Sequence, residues 1–145
     1  MRQMMAEKAN KYFAEGNNCC QSVLLAANDV WHLEISWDLI EASYFLREGM
    51  GSGCSCGALV GMEMVLGMVQ KRRGISIKKE KAKELHDAFV RTFGSSCCRA
   101  LRKKQGIIER ATNQGCKKIT SQTAGILYEL VKDITGDQRL SDAAL

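Results

Sequence analysis

Not one of the 145 residues is proline. Proline ends helices and shapes tight turns, because its ring fixes φ and removes a backbone donor. A chain without it, rich in Ala, Leu, Met, Lys and Glu, can stay helical over long stretches. No alternating strand pattern and no internal repeat interrupts that trend. The sequence predicts an all-α, single-domain bundle of about five to six helices over residues 1–136, then a loosely held tail at 137–145.

The apolar spacing places these helices. A first runs to Ala14, with Met5, Ala9, Tyr12 and Phe13 on one stripe and Gly16 as its stop. A second opens at Asn17–Asn18 and turns Val23, Ala26, Ala27 and Val30 inward. Ser36 caps a third, which holds Leu39, Ala42, Ser43 and Leu46 and ends at Gly49. After the Gly51–Gly53 turn, "CGALVGMEMVLGMVQ" has only Glu63 and Gln70 as strongly polar residues, so it reads as a central, covered helix. Gly57 and Gly61 share one of its faces. They imply either close approach of another helix or room for a cofactor beside Cys56. Ser76 is the expected cap of the next helix, with Ala82, Leu85, Phe89 and Phe93 buried and Gly94 at its end. A short helical turn follows Ser95–Ser96. The last helix begins near Thr112–Gly115, buries Ile119, Ile126, Leu127, Leu130 and Ile134, and stops at Gly136.

The net charge is +5. Basic residues gather in "QKRRGISIKKEKAKE" and "CCRALRKKQG", but acidic residues lie among them and aromatics are few. They read as a solvated helix face, with docking of an acidic partner or anion as the alternative, and not as a nucleic-acid interface. No segment reaches the roughly 18 apolar residues of a membrane span, and the N-terminus lacks a signal-peptide core. A reducing cytoplasm is the expected setting. There, seven cysteines argue for thiol redox chemistry or metal binding over a disulfide scaffold.

The placement of those thiols is the sharpest signal. Cys19 and Cys20 follow Asn17–Asn18. Cys54 and Cys56 follow a glycine turn, Cys97 and Cys98 follow Ser95–Ser96, and Cys116 follows Asn113–Gly115. All seven fall near the first turn of a predicted helix. Unpaired amides and the positive end of the helix dipole favour thiolate there, so such thiols can titrate below the ordinary ~8.5. Vicinal pairs make strained internal disulfides, so each pair is expected to supply one working sulfur that meets a partner from another helix. Cys54-Ser55-Cys56 is C-x-C, not the C-x-x-C of thioredoxin-like or zinc-ribbon sites, and ferredoxin-type spacing is absent. Spacing therefore leaves thiol redox chemistry and metal or cluster binding both open. His32 reads as a helix-end cation and His86 as solvated. Met62, Met64 and Met68 read as core.

Four segments together resemble the C_GCAxxG_C_C family of redox-active proteins, over roughly Glu7 to Val131. "EGNNCCQSVL" resembles its G-x-N-C-A-Q segment, with Cys19 in the motif position and Cys20 where alanine is usual. "CGALVG" matches C-G-A-x-x-G and selects Cys56. "FGSSCCRAL" resembles F-G-x-x-x-C-R and selects Cys98, and "QGCKKI" supplies Cys116. Cys20, Cys54 and Cys97 are additional. The resemblance implies redox activity carried by cysteines and, for some members, a prosthetic group of iron–sulfur type.

The resulting expectation is that Cys19, Cys56, Cys98 and Cys116 converge on one site. Cys56 is the low-pKa attacking sulfur, resolved from another helix, and the partner is a redox protein or a small-molecule oxidant or reductant. Gly57, Gly61 and Cys54 are the expected cofactor-side residues. The alternative uses the same four cysteines as ligands of a metal or iron–sulfur cluster, without substrate turnover. Neither nucleic acid nor membrane is an expected partner, and self-association is compatible with both readings.

Overall fold

The computed structural model describes residues 1–135. Within them lie eight α-helices and no strand: α1 (Arg2–Ala14), α2 (Cys19–Trp31), α3 (Trp37–Ala42), α4 (Gly57–Arg73), α5 (Lys79–Phe93), α6 (Cys98–Lys103), α7 (Ile107–Ala111) and α8 (Gln114–Thr135). The count exceeds the expected five to six because α6 and α7 are separate short helices. The predicted stop at Gly136 and the tail at 137–145 lie outside the described residues.

The start of α2 is fixed as its sequence dictates. Asn18 Oδ1 accepts from the Gln21 amide at 2.9 Å, and Gln21 Oε1 accepts from the Asn18 amide at 3.1 Å. This reciprocal capping box satisfies two donors that a helix start leaves orphaned. The same two side chains reach outward. Asn18 Nδ2 donates to the Tyr44 carbonyl and Gln21 Nε2 to the Ile40 carbonyl. Those bonds claim carbonyls that a longer α3 would use. The third helix is indeed capped by Ser36 but ends at Ala42, and Ile40 rather than Leu39 or Ala42 is its buried residue. Beyond it the chain makes one wide turn, Gly49–Gly53, with left-handed backbone at Glu48, Gly49, Met50, Gly51 and Gly53. Gly49 is required there, since a Cβ would overlap the Cys54 backbone.

α8 packs along α1 and against α2, α4 and α5, while α2 lies against both α1 and α4. Their shared core includes Met5, Leu24, Met62, Val65, Phe89 and Leu127. Trp31 stacks on Tyr128, with ring centroids 5.8 Å apart, tying α2 to α8. Part of the basic run is structural. Arg72 donates to the Leu33 and Glu34 carbonyls, and Arg73 to those of Trp31 and Thr135, so α4 ends by capping its neighbours. The predicted cap at Ser76 is not used. Gln70 Oε1 accepts from the Ile77 amide, which holds the chain against α4, and α5 starts only after Lys78. No helix among the described residues is long and apolar enough to cross a membrane.

Candidate functional site

Cys19 is the first residue of α2, Cys56 the residue before α4, Cys98 the first of α6 and Cys116 the third of α8. All four line one cavity of about 190 Å³, shared with Asn18, Gly57, Arg102 and Gln105. The exposed residues Arg47 and Glu48 also border it, and Arg102 Nη1 pairs with Glu48 at 3.7 Å.

The close pairs divide by direction, because successive residues on a helix point about 100° apart. Cys19 faces the cavity, whereas Cys20 is fully buried and its thiol contacts Met64 Sδ at 3.7 Å. Cys98 faces the cavity, whereas Cys97 turns to the neighbouring loop and donates to the Gly53 carbonyl at 2.9 Å. Cys54 is exposed and does not line the cavity. Of the three expected cofactor-side residues, only Gly57 borders it. A Cβ at Gly57 would overlap the Cys19 sulfur and the Leu46 carbonyl, so this glycine lets the first thiol reach the start of α4. Gly61 serves close helix approach instead: its Cβ would lie 2.8 Å from the Cys20 carbonyl.

One backbone bond and one side-chain bond lock the two thiol-bearing loops together. The Cys56 amide donates to the Ser96 carbonyl at 2.8 Å, and Arg99 Nη2 to the Ser52 carbonyl at 2.8 Å. Helix starts that are far apart in sequence are thereby presented to one space.

Electrostatics corrects one expectation. Cys56 is not a low-pKa sulfur. Burial pushes its thiol up to about 11, which outweighs the Ala58 and Leu59 amides that favour thiolate. Burial likewise raises Cys19, with repulsion from Cys56, Cys20 and Cys116 adding to it. It raises Cys98 too, with Cys116 adding and Arg102 opposing. Cys20 is pushed to about 12, again by burial first. Desolvation here exceeds what one helix dipole supplies. Cys97 is the exception: the Ala100 amide, then the Arg99 amide, the Cys54 thiol and the Arg99 charge, lower its pKa.

Four sulfurs are the donor set that a thiolate-bound metal or iron–sulfur cluster uses. Among the described residues, however, no group of three or more His, Cys, Asp or Glu side chains is arranged to hold a metal ion. Sequence reasoning missed Gln105, whose Oε1 is buried without a hydrogen-bond partner and whose Nε2 lies 3.9 Å from Cys116 Sγ. It also missed the Arg47–Glu48 rim. Neither carries a motif, and only the fold brings them to the thiols. His32 is an exposed left-handed C-cap, and His86 pairs with Asp87 on the surface.

No curated protein and no solved structure was found to match the chain. The sequence model of the family described as "Putative redox-active protein (C_GCAxxG_C_C)" matches residues 17–130. That span contains all four cavity cysteines, and the chain belongs to this C_GCAxxG_C_C family.

Proposed function

We propose that Cys19, Cys56, Cys98 and Cys116 form a thiol–disulfide redox centre inside the cavity. One observation carries the reading: thiols delivered by the starts of α2, α4, α6 and α8 line the same space. The physics of burial agrees with it. Desolvation, with repulsion from neighbouring cysteines adding to it, favours the neutral thiol at Cys19, Cys56 and Cys98. A disulfide is also uncharged, so oxidation escapes the penalty that opposes each thiolate. Two thiols joining into one disulfide release two electrons and two protons. The acceptor is a disulfide-bonded partner protein or a small-molecule disulfide, which leaves as two thiols. A reducing cytoplasm would return the centre to its dithiol state.

The test is disulfide mapping by mass spectrometry after equilibration with graded ratios of oxidised and reduced dithiothreitol. The expected result is an inter-helix disulfide between two of the four cavity cysteines, reversed by excess reductant. If all four stay alkylatable throughout the range in which the protein remains folded, this function is refuted.

A further inference from the structure

The cavity accounts for four of the seven cysteines. Cys20 is sealed in the core. Cys54 and Cys97 remain, outside the cavity lining and within reach of solvent. They come from loops 43 residues apart in sequence, yet the fold fastens those loops to each other. Cys97 Sγ donates to the carbonyl of Gly53, the residue next to Cys54. Ser96, on the other side of Cys97, accepts from the Cys56 amide. Arg99 lies across the same junction: it donates to Ser52, and a Cβ at Gly53 would meet its Nε at 3.0 Å. The Cys97 amide is held by Ser95 Oγ at 3.0 Å. Cys54 itself is flanked by two residues in the left-handed region, Gly53 at φ 81° and Ser55 at φ 60°, so the backbone there turns sharply and presents its side chain outward.

We infer that Cys54 and Cys97 form a second, surface dithiol that exchanges with low-molecular-weight disulfides, separately from the cavity thiols. The Cys97 thiol, beside the Arg99 guanidinium, gives its proton to water and attacks one sulfur of the external disulfide. That S–S bond breaks, a thiolate leaves and a mixed disulfide forms on Cys97. Cys54 gives its proton to water and attacks the Cys97 sulfur, which expels the second half of the external disulfide as a thiolate. Both leaving thiolates take up a proton. The two cysteines have lost two electrons and two protons, and the external disulfide has become two thiols. The pair then closes a covalent link across the junction that hydrogen bonds already hold.

The experiment uses the full chain, fully reduced, incubated with oxidised glutathione, quenched in acid, alkylated and mapped by peptide. In the wild type the Cys54–Cys97 disulfide should accumulate ahead of any disulfide among Cys19, Cys56, Cys98 and Cys116. Cys54→Ser should trap glutathione on Cys97, and Cys97→Ser should lose the rapid adduct altogether. Both positions are solvent-accessible, so these isosteric variants should keep the wild-type circular dichroism melt. A Cys97 that stays unmodified in Cys54→Ser overturns the inference, as does a cavity disulfide that forms while Cys54 and Cys97 stay reduced. That second outcome leaves the cavity function standing. A surface disulfide formed while the four cavity thiols never pair does the reverse.

Discussion

At Cys56 two local forces oppose each other. The first amides of α4 favour the thiolate, and the loss of water favours the thiol; the thiol wins, with the pKa pushed up to about 11. Its ordinary value, which the unfolded chain keeps, is about 8.5. Between the two, the unfolded chain releases a proton that the folded chain keeps. Stability is therefore fully present below the ordinary value and falls as pH rises toward the folded one, by up to about 1.4 kcal/mol per pH unit for a fully buried thiol. Cys20, pushed to about 12, acts with the same sign. Urea unfolding under reductant should show midpoints that decline above about pH 9, with a shallower decline in Cys56→Ser. A flat midpoint across that window would contradict the assigned shift. The sequence made the position of Cys56 legible, through the glycine turn and the helix that follows. It did not make the sign legible, since that depends on how deeply each helix start is sunk, and Cys97 at the start of α6 shifts the opposite way.

Along α4 the glycines separate by what surrounds them. Replacing a helical glycine by alanine gains up to about 1 kcal/mol of helix propensity. At Gly61 the new Cβ would press on the Cys20 carbonyl at 2.8 Å, and overpacking costs about 1–3 kcal/mol. Gly67 is exposed and has nothing within 4 Å. Thermal melts should therefore place Gly61→Ala below the wild type and Gly67→Ala above it. Equal shifts of one sign would show that propensity, not α2–α4 contact, governs both. Element boundaries were readable where the cap was local, as at Asn18 and Ser36. They were not where a distant group decided, as when Gln70 holds Ile77 and delays α5 to Lys79.

In the whole molecule the seven thiols occupy three environments: the sealed core at Cys20, the cavity at Cys19, Cys56, Cys98 and Cys116, and the surface at Cys54 and Cys97. Alkylation of native, reduced protein should label Cys54 and Cys97 first, the cavity thiols more slowly, and Cys20 only when the protein unfolds. Labelling of Cys20 alongside Cys54 would mean that α2 and α4 open as easily as a surface loop. This sorting was out of reach of cysteine spacing, which treats vicinal residues as equivalent partners, and the family resemblance chose one sulfur per pair without saying where the other goes. The helical twist between neighbours supplies the answer. At the start of α6 it also makes the partition between solvent and interior a single peptide unit thick: Cys97 looks out, Cys98 looks in, and their Cα atoms are ~3.8 Å apart. A disulfide closed on the outer sulfur would therefore sit one peptide unit from the sulfur that faces the cavity, on the loop that already bonds to Gly53.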